Sequence, residues 1–229
     1  MSTSQPAAVR TFKLRRGRIS GRHEHALATL TDRYGVPGPE SAADPVALFG
    51  RDAPLVLEIG SGMGEATAAM AAADPDRNYL ATEVHVAGVA SLLALAAEYG
   101  LANLRVARWD AAELVPHLPA GGLSAVHVFF PDPWPKARHH KRRLIQPGTV
   151  ALLRSRLRPG GILHCATDWP PYAEVMLAVL GADPGLVNTA EGYSGRPGHR
   201  PLTKFEQRGI EAGRPIRDLV FARTFREVR

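Results

Sequence analysis

From Pro54 to Leu180 the chain alternates short apolar runs with helix-forming stretches, and this alternation restricts the fold more than any other feature. Leu55–Ile59 is apolar apart from Glu58 and reads as a strand covered on both faces. Gly64–Ala73 is Ala-rich and reads as the helix that follows it. Asn78–Glu83 with Val86–Tyr99, and Leu104–Ala107 with Ala112–Leu118, repeat the pair. Ala125–Phe130 is a fourth strand. Gln146–Arg156 is a helix expected to be stopped by Pro159-Gly160-Gly161. Ile162–Ala166 and Pro171–Leu180 complete a fifth unit. Repeated strand–helix units with right-handed crossovers lead to a doubly wound, mostly parallel α/β sheet. The tail departs from the pattern. Gly181–Leu202 is loop-rich, and Thr203–Glu211 reads as a short helix. Asp218–Thr224 reads as a terminal strand, antiparallel to a segment near Leu186–Asn188. Ahead of the sheet, residues 1–50 read as an N-terminal extension: a basic arm at Arg10–Arg22, a short helix at Glu24–Tyr34 and a linker at Gly35–Pro45. Residues 51–229 form the main domain.

The first strand runs into Gly60-Ser61-Gly62-Met63-Gly64, a turn where glycines let backbone approach a ligand closely. The spacing is not the G-x-G-x-x-G of dinucleotide binders. Glu58 and Glu65 flank the turn, and this negative charge opposes a pyrophosphate but suits a cation. S-adenosylmethionine carries a sulfonium and an ammonium and no phosphate. Glu83 ends the second strand, where nucleoside cofactors have their ribose hydroxyls held. Asp110 follows the third strand and can accept from an adenine amino group. Acids at these positions also cap helices.

The fourth strand leads into Phe129-Phe130-Pro131-Asp132-Pro133-Trp134-Pro135, followed at once by five Lys/Arg and two His in Lys136–Arg143. Alternating prolines stiffen the loop and hold Asp132 and Trp134 extended, outside the sheet. A carboxylate for a base edge, a ring for stacking and cations for phosphate then share one loop. A second cluster, six Lys/Arg in Arg10–Arg22, accompanies a net charge of +6, and the two clusters together point to nucleic acid. By the switch-point rule the glycine turn and the Pro131–Pro135 loop face each other across the first and fourth strands. Two further polar stretches, Thr167-Asp168-Trp169 and Arg200–Gly209, are expected at the same edge. Thr167 or Asp168 is a candidate helix cap, and Thr203 with Glu206 a candidate capping box.

Taken together, Leu57-Glu58-Ile59-Gly60, Glu83-Val84-His85, Phe129–Arg143, Ala166-Thr167-Asp168-Trp169 with Tyr172, and Arg200–Gly209 resemble the bacterial tRNA (guanine-N7)-methyltransferase family. The resemblance runs from about Leu57 to Arg223. It implies a Rossmann-like class I methyltransferase with a seven-stranded sheet and an antiparallel C-terminal strand. It implies S-adenosylmethionine as methyl donor and guanine 46 of the tRNA variable loop as target. Glu58, Gly60, Gly62, Gly64, Glu83, Asp110 and Asp132 fall at cofactor-binding positions, and Asp132 at the catalytic one. Lys136, Asp168, Thr203, Lys204, Phe205 and Glu206 fall at substrate-binding positions. Arg138, His139, His140, Lys141, Arg142 and Arg143 fall on the RNA-contacting segment. Pro135 and His140 depart from residues common in the family. Methyltransferases of exocyclic amino groups, which carry Asp/Asn-Pro-Pro-aromatic at this strand end, and a non-catalytic RNA-binding module are the rival readings.

Other classes are disfavoured. Cys165 alone forms no internal disulfide, which fits a cytoplasmic protein, and its apolar surroundings suit a small buried residue. The longest apolar run, Val86–Ala97, is too short for a bilayer span. His23 and His25 have no companion cluster at ligand spacing, so no metal is expected. A monomer or homodimer is expected.

Overall fold

The computed structural model describes residues 11, 12 and 19–225, apart from the side chains of Lys204, Phe205 and Arg208. Seven strands form one sheet: β1 (Leu55–Ile59), β2 (Asn78–Thr82), β3 (Leu104–Ala107), β4 (Leu123–Phe129), β5 (Leu157–Thr167), β6 (Leu186–Asn188) and β7 (Arg217–Arg223). Their order is β3-β2-β1-β4-β5-β7-β6. The pairs from β3 through β5 are parallel, whereas β7 runs antiparallel to both β5 and β6. The expected tail hairpin is therefore present. β1 lies between β2 and β4, so the order reverses there and a crevice opens beyond the strand ends.

Eight α-helices are present among the described residues: α1 (Gly21–Tyr34), α2 (Pro45–Phe49), α3 (Glu65–Ala73), α4 (Val86–Glu98), α5 (Ala111–Leu114), α6 (Pro147–Arg156), α7 (Pro170–Gly181) and α8 (Lys204–Glu211). Helices cover both sheet faces, and two apolar clusters form the core. One contains Leu57, Val126, Leu163 and Phe221. The other contains Val56, Tyr79, Leu92 and Leu104. β1 and β2 are buried throughout, as strands with both faces covered must be. Helix α6 ends at Arg156, three residues before Pro159, because the chain already turns extended at Leu157 to join the sheet. Pro159-Gly160-Gly161 therefore lies inside β5 and is not the helix stop expected from sequence. Cys165 is buried in β5, and burial pushes its thiol up to about 12.

The segment ahead of β1 is not detached. Helix α1 is capped by the Ser20 hydroxyl accepting from the His23 amide, and it lies along α4 with Ala26 and Tyr34 buried. Gly35–Pro45, expected to be a linker, bridges Val106 of β3 and contains a 3-10 turn at Pro39–Ala43. Val36, Ala42 and Phe49 enter the core. Most of the basic arm lies outside the described residues. No described helix is long and apolar enough to cross a membrane.

Candidate cofactor and nucleic-acid site

The glycine turn after β1 stands between two adjoining clefts. Gly60, Gly62 and Gly64 all have left-handed φ values, of 78°, 58° and 82°, which side chains seldom adopt. On one side of the turn, Glu83, Asp110, Phe130 and Asp132 line a cleft whose remaining wall includes Thr11 and Phe12. On the other side, Glu58, Gly64, Arg200, Pro201 and Thr203 line the second. Phe129 and Phe130 belong to both. The structure therefore brings together Glu58, the three glycines, Glu83, Asp110, Asp132 and Thr203. Lys136 and Asp168 line neither cleft.

Glu58 and Glu83 have different environments. Glu83 is 6 % exposed and its carboxylate holds the turn: Oε2 accepts from the Gly62 amide at 2.8 Å, and Oε1 from the Val84 and His85 amides at 2.7 and 2.8 Å. Oε1 also lies 2.8 Å from His85 Nδ1. Glu58 is 3 % exposed, and its Oε2 has no hydrogen-bond partner among the described residues. Burial pushes this carboxyl up to about 7; the Thr67 hydroxyl pulls it down and the Glu83 charge pushes it further up. A buried acid with an unsatisfied oxygen on a cleft wall is a receptor for a cation. Asp110 caps α5, its Oδ1 accepting from the Ala112 amide at 3.0 Å, with Glu113 completing a capping box. Its capping role and its place on the cleft wall coexist.

The proline loop departs from expectation. Phe130 and Trp134 both have left-handed φ values, 51° and 43°, although each precedes a proline. The loop is consequently kinked rather than extended, and Trp134 turns inward. It is 5 % exposed, donates from Nε1 to the Thr11 carbonyl at 3.0 Å, and carries the Arg142 guanidinium 5.0 Å over its ring. A stacking role on a base, expected for Trp134, is therefore corrected: its ring is covered from within the protein. Arg143 is also corrected. It is 3 % exposed, donates from Nε to the Pro133 carbonyl at 3.0 Å, and lies over the Tyr172 ring. It braces the loop and presents no charge to a phosphate. Lys136, Arg138, His140 and Lys141 remain exposed along the 3-10 segment at Ala137–Arg142, with His139 and Arg142 half-buried.

The tail residues are also engaged. Thr203 caps α8, its Oγ1 accepting from the Glu206 amide at 3.1 Å. Glu206 does not complete the capping box and is not available to a substrate: it is 2 % exposed and binds Arg200 at 2.5 and 2.9 Å. Arg200 reaches Asp218 of β7 through two further bonds of 2.8 Å. Burial raises Asp218, but the hydrogen bonds from His164 and Arg200 outweigh it and hold its carboxyl below the usual value. Asp168 pairs with Arg214 at 2.9 Å. Neither Thr167 nor Asp168 caps α7. Trp169 occupies that position, and Thr167 Oγ1 accepts from its amide. For Lys204 and Phe205 only the helical backbone is described.

Two site residues escaped the sequence reading. Gly88, in the first turn of α4, lets that helix meet the glycine turn: a Cβ there would lie 2.3 Å from the Gly62 carbonyl oxygen and 2.9 Å from Glu83 Cγ. Its only signal was a glycine inside an apolar helical run. Asp218 looked like an ordinary strand residue, because its partners lie far away in sequence.

Against known proteins, the profile of the family Methyltransf_4, described as putative methyltransferase, matches residues 52–219. The tRNA (guanine-N(7)-)-methyltransferase of Nitrosomonas eutropha is 51% identical over 224 residues, covering 97% of this chain and 99% of its own. That of Verminephrobacter eiseniae is 54% identical over 230 residues, covering 96% and 84%. Among solved structures, the 16S rRNA methyltransferase KamB superposes with a TM-score of 0.57 at 20% identity, over 78% of this chain and 91% of its own. The antibiotic-resistance methyltransferase Kmr gives 0.55 at 21% identity, over 81% and 94%. At those identities the two structures speak to the fold alone.

Proposed function

The chain belongs to the tRNA (guanine-N(7)-)-methyltransferase family, and on that premise we propose that it transfers a methyl group from S-adenosylmethionine to guanine N7 at position 46 of tRNA. The observation that carries this reading is the convergence of Glu58, Glu83 and Asp132 around one glycine turn at the switch point of the sheet. When bound, S-adenosylmethionine supplies an electrophilic methyl carried on a sulfonium. The residues present fit it: a backbone turn free of side chains, a carboxylate at the end of β2, and an unsatisfied buried acid for its positive charge.

Guanine N7 has an in-plane lone pair and needs no deprotonation at neutral pH, so the protein supplies no strong base. Its contribution is to orient the base and to provide a field suited to positive charge moving onto it. Asp132 accepts from guanine N1–H and the 2-amino group, and its negative charge favours the cationic product base. Glu58 receives the cofactor's cationic end. Glu83 keeps the turn in shape and faces the ribose. The exposed cations of Lys136–Lys141 hold phosphates.

The direct test is incubation with unmodified tRNA and labelled S-adenosylmethionine, then chemical cleavage at 7-methylguanosine. A cut after position 46 supports the reading, and label in an exocyclic amino group or no label overturns it.

The Glu58 assignment makes a pH prediction. Its carboxyl sits at about 7 in the free protein and falls once a cation binds beside it. Binding below pH 7 therefore releases a proton. The cofactor's own ammonium titrates higher, at an α-amino value of about 8. Affinity is expected to fall by up to roughly tenfold per pH unit below 7, until the lowered value of the complex is reached. Glu58→Gln should flatten this dependence. Calorimetry in buffers of different ionisation enthalpy reads the proton directly, and a wild-type profile without proton release removes Glu58 from the site.

The basic segment makes a second prediction. Replacing Lys141 and Arg142 with Ala should lower the slope of log K for tRNA against log[salt] by about 2, one for each phosphate released. Arg143→Ala should instead lower stability, because Arg143 is buried under the loop. An unchanged slope in the double variant would leave the segment a solvated face.

A further inference from the structure

Three histidines outside the cofactor clefts meet on one face of the sheet. His127 of β4 and His164 of β5 are register partners. His199, from the loop before α8, stacks on His127 with ring centroids 5.4 Å apart and planes 18° apart. One ring nitrogen from each lies within 4.8 Å of the other two. His127 and His164 are 4 % and 0 % exposed, whereas His199 is exposed and opens the cluster to solvent. We propose that His127, His164 and His199 form a binding site for one borderline divalent metal ion, of which Zn²⁺ is the expected occupant.

Four observations carry the assignment. First, His164 Nε2 lies 2.7 Å from Asp218 Oδ1, which assigns the proton to that nitrogen and turns the Nδ1 lone pair toward the cluster. A carboxylate behind a histidine is the arrangement that orients metal-binding imidazoles. Second, His164 Nδ1 and His199 Nε2 are 3.3 Å apart. Two nitrogens each about 2.0–2.1 Å from a tetrahedral zinc are separated by about this distance. Third, His127 Nδ1 is buried with no hydrogen-bond partner among the described residues, and a coordinated ion would satisfy the ring. Fourth, the adjacent buried charges do not balance. Arg200 stands against both Glu206 and Asp218, leaving one negative charge in excess beside three imidazoles. Burial and the neighbouring imidazoles hold His127 well below the usual histidine value, so it remains neutral and able to donate a lone pair.

Imidazole ligands select zinc, copper, nickel and cobalt over magnesium and calcium, which require oxygen. The three residues come from two central strands and from the loop that carries Arg200, Pro201 and Thr203 to the second cleft. An ion bound here would tie that loop to the sheet, so occupancy would govern the order of one wall of the proposed substrate site.

The test uses the full-length protein with no affinity tag, stripped with chelator. Calorimetric titration with Zn²⁺ is expected to give one site per chain with affinity in the micromolar range or tighter, and no heat with Mg²⁺. Co²⁺ is expected to produce the visible bands of a tetrahedral nitrogen-ligated ion. His199→Ala, at an exposed loop position that should not disturb folding, is expected to weaken Zn²⁺ binding roughly tenfold or more and to remove the Co²⁺ bands. A His23→Ala/His25→Ala double variant should bind as the wild type does. Absence of stoichiometric Zn²⁺ binding overturns the proposal, as does unchanged affinity in His199→Ala or loss of binding only in the His23/His25 variant. S-adenosylmethionine affinity, measured in parallel, separates this result from any failure of the methyltransferase reading.

Discussion

Asp132→Asn is expected to slow methyl transfer by on the order of 10²–10³ while leaving the protein folded and tRNA bound. The size is that of removing one well-placed electrostatic group from an active site. The carboxylate has two acceptor oxygens, and a guanine edge presents two donors, N1–H and the 2-amino group. Asparagine keeps the shape but turns one acceptor into a donor facing a donor. It also removes the negative charge from the neighbourhood of the cationic product base. Binding of tRNA should survive, because phosphate contacts on the 3-10 segment supply most of it. Asp132 lines the same cleft as Glu83 and Asp110, so some loss of cofactor affinity should accompany the change. Single-turnover methylation with tRNA and cofactor both saturating isolates the chemical step. A rate within a fewfold of wild type would remove Asp132 from catalysis and leave it a structural residue of the proline loop.

Arg200→Met is expected to destabilise the protein by about 3–5 kcal/mol, the usual cost of removing one partner from a buried ion network. Arg200, Glu206 and Asp218 are 1–3 % exposed along their side chains, and the guanidinium bridges both carboxylates. Without it, two acids are left buried with no cation between them. In a chain of 229 residues this corresponds to a fall in Tm of roughly 6–20 °C. Urea unfolding should show a lower midpoint. The triple variant Arg200→Met, Glu206→Gln, Asp218→Asn should recover much of the loss, since the cost lies in the orphaned charges rather than in a missing contact. Equal stability of Arg200→Met and wild type would mean that the network is open to water in solution. Activity should fall with stability, because Arg200 also walls the second cleft.

Much of the architecture was written in local patterns. The apolar run Leu55–Ile59, the Ala-rich stretch after it and their repetition specify strands and helices through burial and periodicity, which neighbouring residues carry among themselves. The glycine turn was legible for the same reason: left-handed backbone at Gly60, Gly62 and Gly64 is a property of those residues. The acids at the ends of β1 and β2 could be located, since a strand end follows from the strand. The wrapping of the sheet, with β1 beside β4, followed from the general handedness of strand–helix–strand units.

What the sequence withheld depended on contacts between distant segments. Trp134 and Arg143 stood in a polar, proline-rich stretch and looked exposed. They are buried because left-handed turns at Phe130 and Trp134 fold the loop back over Tyr172 and beneath Thr11. Glu206 and Asp168 looked like free acids facing a substrate, until tertiary structure supplied Arg200 and Arg214 as their partners. The histidine cluster left no spacing signal, since its members come from two strands and a loop, and His164 and His199 are 35 residues apart. Local sequence determines which backbone conformations are accessible and which groups reach a strand end. Whether a charged or aromatic side chain then meets water or another part of the protein depends on what the fold places beside it, and here only the tertiary structure decided that.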